Sequence, residues 1–200
     1  MSDPALVLDE AAQDLLFREA HTASAFSPEP VSDEQLRAVY DLVKYGPTAF
    51  NQTPLRIVLV RSAEARERLV AHMADGNKAK TLAAPLTAIL AADYEFHEEL
   101  PRLVPHFPGL KDAFFGAREV REGSAALNAA LQMGYLIVGI RAAGLAAGPM
   151  TGYDAAGIDK EFFPEGDHSV ISVINIGRPG DEAYKPRAPR LDYDEVVTTV

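Results

Sequence analysis

The sequence contains no cysteine. That excludes disulfides, thiolate metal centres and a cysteine nucleophile, and it suits a reducing compartment. Cation is scarce too: 19 Lys and Arg stand against 29 Asp and Glu, for a formal net charge of −10. Binding of a phosphate backbone depends on clustered Lys and Arg, so the balance argues against a nucleic-acid partner. The opening residues, MSDPALVLDEAAQ, carry acids where a secretory leader needs bases and lack an apolar core segment, so a cytoplasmic protein is expected. GxGxxG, Walker, GxSxG and HExxH motifs are all missing, which leaves dinucleotide-fold and hydrolase readings without their chemistry. His97 and His106 have no second histidine or carboxylate at ligand spacing, so no metal is expected.

What is present is a large apolar content, 48% of 200 residues, enough for a single domain spanning 1–200. Its organising element is the stretch from Ser124 to Tyr153, in which Ala125 to Ala143 is apolar on too many sides for a one-sided helix and is therefore expected to be covered on several faces. Ser124, Asn128 and Gln132 recur every four residues and share one face, where internal hydrogen bonding is the expected role. The run is long enough to test as a membrane span. Its two amides, the inward Arg141 and the absence of a flanking basic cluster argue against one. Gly144 caps the helix, and Leu145 to Met150 reads as a strand ending in GPMTG, whose exposed backbone NH groups suit a flat or anionic ligand.

Upstream, a first helix is expected over Asp9 to Thr22. A second opens with Ser32 as N-cap and Gln35 three residues on, and turns Leu36, Val39, Tyr40 and Val43 inward. The loop Gly46 to Pro54, held between prolines, precedes a strand from Arg56 to Arg61. Such a loop reads as a connector first and a ligand site second. Ala63 to Met73 is a charged helix with a Glu64–Arg68 pair, and Gly76-Asn77 reads as a turn before a short helix carrying Lys78 and Lys80. Leu86 to Ala92 is expected to be a central strand buried on both faces. Asp93 to Gly123, helical pieces broken by Pro and Gly with an exposed Phe114-Phe115 pair, resembles a lid. Asp154 to Phe163 is a short helix and Ser169 to Gly177 a core strand. The tail gathers Arg178, Lys185, Arg187 and Arg190 on an extended arm, which suits phosphate binding or wrapping of a neighbouring subunit.

GPTAFNQTP, DGNKAK, AAGLAAGPMTGYD, INIGRP and PRAPR occur in an order and spacing that resembles the flavin-dependent nitroreductase family over essentially the whole chain. Within that family, PVSDE, GPT, GN with KTL and AP, GPM-G and PRL are most similar to the malonic semialdehyde reductases of uracil (pyrimidine) catabolism. The resemblance implies an α+β, three-layer α/β/α sandwich with a central mixed sheet and a long buried core helix, assembled as an intertwined homodimer. It implies FMN at the subunit interface, with NADH or NADPH as hydride donor to a small-molecule substrate, and no membrane partner.

The resemblance also suggests residues. Asn77 would bond the pyrimidine edge of the flavin, and Lys80 would place charge near N1, while Pro149, Met150, Thr151 and Gly152 would lie along the ring. Lys80 and Thr151 are the catalytic candidates. Pro47, Thr48, Ala49 and Asn51 would approach from the other subunit, and Arg187 and Arg190 would hold the phosphate, with His21, Thr22 and Ser24 beside it. This chain departs from the family pattern in two places. The N-terminal phosphate motif, usually arginine-rich, is Ala20, His21, Thr22, Ala23, Ser24. Thr151 stands where many relatives carry an acid, which makes the site less hostile to an anionic substrate. A broad nitroaromatic, quinone or enone reductase is the alternative, and from another class a flavin-binding or structural dimer without turnover.

Overall fold

The hydrophobic pattern of one strand sets the layers. In a computed structural model describing residues 6–200, β2 (Leu86–Asp93) is buried at every position. Successive strand side chains point to opposite faces. Leu86, Ala88 and Leu90 therefore join one core, with Val39, Leu136, Ile140 and Ile174. Ile89 and Ala91 join a second, with Leu69, Met73, Ile158 and Val173. A central strand buried on both sides needs helices on both sides.

The first face is covered by α2 (Asp33–Val43) and α7 (Arg118–Ala142), the second by α3 (Ala63–Ala71) and α8 (Ala155–Phe162), with α4 (Asp75–Ala83) tied to the sheet through Thr81 and the Lys80 carbonyl. Three layers result, as expected. The sheet order is β1-β2-β4-β3, with β1 at Leu55–Val60, β3 at Ala146–Met150 and β4 at His168–Gly177. Every pairing is antiparallel, so the expected mixed sheet is corrected. A helical crossover such as α7 normally joins parallel neighbours. Here β4 occupies the slot between β2 and β3 and runs against both. Pro149 is confined to the edge strand, where its missing N–H costs no ladder bond.

Local signals hold best where capping chemistry is explicit. Ser32 and Gln35 form a reciprocal capping box, Asp154 caps α8 through the Gly157 amide, and Gly144 ends α7 at φ +71°. Other boundaries shift. The first helix is short: α1 (Glu10–Gln13) runs into a π turn over Asp14–Arg18 and stops, leaving residues 20–24 extended. Gly76 and Asn77 lie inside α4 rather than in a turn. Arg68 pairs with Glu161 of α8 instead of Glu64, because docking of the two helices offers a carboxylate at 2.5 Å. Tyr40 is 55% exposed, on a face of α2 that no described element covers. Of the phenylalanine pair only Phe114 is exposed, and Phe115 packs in a third core with Phe96, Leu110 and Ala125. That core seats α5 (Leu100–Leu103) and α6 (Leu110–Phe114) on the N-terminal half of α7. Residues 1–5, part of the stretch read as lacking a leader, lie outside the described residues.

By length and apolarity α7 could cross a bilayer. In this fold it is instead the helix against which α2, β1, β2 and β3 pack. It is not covered on every side: Leu127 and Leu131 are 62% and 42% exposed. Gly139 lets α2 approach, since a Cβ there would collide with Val43 and crowd Val39. Gly139→Leu is expected to lower stability by about 1–3 kcal/mol through overpacking, exceeding the ~1 kcal/mol that helix propensity returns. Urea unfolding followed by circular dichroism measures the difference.

Candidate functional site

The extended segment 20–24 is stitched between a strand edge and the tail. The Ala23 amide donates to Ala147 O at 3.0 Å, continuing the edge of β3, while the Ser24 amide and hydroxyl donate to Ala183 O at 2.9 and 3.0 Å. Gly148 is required beneath it, because a Cβ would strike the Ala23 carbonyl. His21 lies 5.2 Å, ring to ring, from Tyr184, and Arg187 donates to Ala20 O at 3.1 Å. These contacts bring the N-terminal segment, the GPM strand and the tail together around one cavity of about 490 Å³, within the usual range of small-molecule sites.

Seven of the expected residues line it: His21, Thr22, Ser24, Lys80, Pro149, Arg187 and Arg190. Arg141 and Lys185 line it too, beyond the expected set. The signal for Arg141 was available as the lone charge in the last turns of an apolar helix. Arg141 donates to Leu15 O at 2.7 Å and Glu19 O at 3.3 Å, tying the end of the N-terminal helix to α7. The hydrogen bonds of Arg187 and Arg190 go likewise to backbone carbonyls. Among the described residues no carboxylate forms an ion pair with these five cations. Lys78, by contrast, is paired with Asp75 at 2.8 Å, and that hydrogen bond holds the Asp75 carboxyl below its usual range. Five cations without acid partners, in a chain of net charge −10, give this cavity a lining whose charge suits an anion.

The remaining candidates lie elsewhere. Asn77 is tied by its Nδ2 to Gly152 O at 2.8 Å, which docks α4 on the segment after β3 and leaves the Asn77 Oδ1 and one N–H free. Thr151 is exposed, and Met150 turns into the second core, so its side chain does not face the cavity. Pro47, Thr48, Ala49 and Asn51 do not line the cavity and are held along the middle and C-terminal half of α7, where Tyr135 donates to Pro47 O at 2.9 Å and the Ala49 amide donates to Asn128 at 2.8 Å. Phe50 and Asn51 have φ of +51° and +52°, a left-handed pair without glycine. Each costs on the order of 1–3 kcal/mol, and such outliers cluster at functional sites.

The expectation that His97 has no carboxylate at metal-ligand spacing is corrected. A 3₁₀ turn places it 3.7 Å from Glu95 and 3.5 Å from Glu98. Arg121 and Lys111 already pair with those two acids, which weakens the pull on a metal ion. In the second acidic group, Asp93 pairs with Arg56 and Asp167 with His168.

A model of the nitroreductase family matches residues 17–178. The chain belongs to the nitroreductase family. It is 71% identical over 195 residues to a Streptomyces griseus protein provisionally named NADH dehydrogenase/NAD(P)H nitroreductase, with 98% of this chain and 99% of that one covered. The solved structure of a provisionally assigned Bacillus subtilis nitroreductase superposes with a TM-score of 0.86 at 21% identity, covering 96% and 100% of the two chains. An Exiguobacterium sibiricum protein described as a nitroreductase in complex with FMN superposes with a TM-score of 0.83 at 17% identity, covering 97% and 98%. At those identities the likeness to the two structures concerns the fold.

Proposed function

We propose that the protein is an FMN-dependent NAD(P)H oxidoreductase, working in the cytoplasm as a homodimer, that reduces malonic semialdehyde to 3-hydroxypropionate by ping-pong hydride transfer. The observation that carries the cofactor assignment is the cavity beside Gly148, with its five cations free of acid partners. Its chemistry fits FMN: a phosphate for Arg187, Arg190 and Lys185, and an edge for Lys80. The printed name of the 71% identical relative, NAD(P)H nitroreductase, supports the electron donor.

FMN held there would supply hydride exchange between NAD(P)H and the second substrate. The protein's part is electrostatic. The Lys80 ammonium would hold positive charge at the cavity wall and stabilise negative charge on a ligand bound there. Asn77, outside the cavity lining but one helical turn from Lys80, would offer its free Oδ1 and N–H to the pyrimidine edge, and a backbone NH near Thr151 would be a donor to the ring. Thr151 brings no charge to the exposed rim, so a substrate carboxylate meets no repulsion there.

The dimer rests on the open face of α7. An apolar groove of about 690 Å³ runs along it, lined by Phe17, Leu42, Leu131, Tyr135 and Val138 among others, in a chain of net charge −10. A patch of this kind suits a self-complementary interface. It would also carry the 47–51 loop of one subunit toward the cofactor of the other.

A second reading, a broad nitroaromatic, quinone or enone reductase, is favoured by one observation. Phe50 of that loop forms an exposed aromatic surface with Phe107 and Phe114, the Phe114 centroid lying 5.4 Å from Phe50 and 6.2 Å from Phe107. The purified protein is expected to be yellow and dimeric. Steady-state kinetics with NADH and then malonic semialdehyde or a nitroaromatic should give the higher kcat/KM for the semialdehyde. A reversed preference supports the second reading, and a stable monomer holding FMN stoichiometrically overturns the interface assignment.

A further inference from the structure

The polar stripe of α7 is devoted to one loop. Asn128 is 1% exposed and its Oδ1 accepts the Ala49 N–H at 2.8 Å. Its Nδ2 donates to Ser124 O at 2.9 Å and to Gln52 Oε1 at 3.3 Å, and the Ser124 hydroxyl donates to the same Gln52 oxygen at 2.9 Å. One helical turn on, Gln132 Oε1 accepts the Leu55 N–H at 3.0 Å, fixing the chain where β1 begins. Within the loop Thr48 Oγ1 donates to Gln52 O at 2.7 Å, and the Asn51 amide reaches Leu103 O at 3.0 Å.

Hydrogen-bond satisfaction alone does not account for this arrangement. Ala49 and Phe50 lie on an exposed turn, yet the Ala49 amide is directed inward to a buried asparagine. Gln52 is 1% exposed and its Nε2 has no partner, so the network holds its shape while leaving a buried donor unmet. Its evident product is the left-handed pair Phe50-Asn51, a conformation that side chains disfavour and that persists only where the surroundings over-determine it.

We propose that Asn128 is a positioning residue: through the Ala49 amide and the Gln52 side chain it fixes residues 47–51 in the turn that meets the flavin across the subunit boundary. This rests on the FMN reading above. Asn128 touches neither cofactor nor substrate in that scheme and acts only through the loop.

The test uses the full-length protein, reconstituted with FMN, carrying Asn128→Leu or Asn128→Asp. Leucine removes the acceptor and both donors, and the FMN dissociation constant from fluorescence quenching should rise about tenfold, with a changed visible spectrum of the bound flavin. Aspartate is a reversible substitute. Protonated, it can accept from Ala49 and donate to Gln52; ionised, it cannot donate. None of Asn128's hydrogen-bond partners titrates. The ratio of variant to wild-type dissociation constants should therefore approach one at low pH and grow as pH rises, a dependence that a merely structural contact would not produce. Should the leucine variant fail to fold, Ser124→Ala removes only one donor to Gln52 and should raise the constant two- to threefold, roughly. A wild-type constant and spectrum in these variants, with only the melting temperature lowered, overturns the proposal alone. A wild-type protein that takes up no FMN overturns the parent reading and the proposal together.

Discussion

Lys80→Met is expected to lower the midpoint potential of the bound flavin and to slow its reduction by NADH while the fold is retained. One charge a few ångströms from a developing negative charge amounts to ~1–4 kcal/mol at effective dielectrics between water and a protein surface. For a two-electron couple that is about 20–90 mV. Lys80 lines the cation-rich cavity beside Pro149 and is half-buried, and no described carboxylate pairs with it. Spectroelectrochemical titration of wild type and variant at matched FMN occupancy measures the shift. Identical midpoints would make Lys80 an ordinary solvated lysine.

Arg190→Ala and Arg187→Ala should each weaken FMN binding by about one to two decades while the holoenzyme that remains keeps its chemistry. Charge-assisted hydrogen bonds to phosphate contribute ~1.5–3 kcal/mol. Both guanidiniums are exposed, and their hydrogen bonds go to carbonyls 1–2 residues away or to Ala20, so neither is committed to an acid. Lys78→Ala serves as the control, since that ammonium is already paired with Asp75 and does not line the cavity. Fluorescence titration at two salt concentrations checks the result. An unchanged constant in both arginine variants would remove the tail from the site.

The expected site residues divide by how far apart they lie in sequence. His21, Lys80, Pro149 and Arg187 come from four distant segments, and motif order alone assigned them to one ligand. Their shared cavity depends on the extended run 20–24 pairing with Ala147 on one side and Ala183 on the other. Periodicity extended the first helix to Thr22 and so would have hidden that run. Arg141 was legible as a charge inside an apolar helix but not as a cavity wall, because its direction depends on where the Leu15 and Glu19 carbonyls end up. The carboxylates around His97 were likewise adjacent in sequence, yet only the 3₁₀ turn brings them to its ring.

Local chemistry determined what could be decided locally. Caps at Ser32, Asp154 and Gly144 satisfy or end a helix through atoms within a few residues, and the continuous burial of β2 follows from an unbroken apolar run. The sequence also determined that Ser124, Asn128 and Gln132 share a face, since helical spacing permits nothing else. Tertiary structure decided the rest. Whether β2 and β3 are neighbours depends on where β4 inserts, a choice made by competition among non-local pairings that no single segment encodes. Where the α7 amides find partners depends on a left-handed loop, stable only because the packed helix holds it.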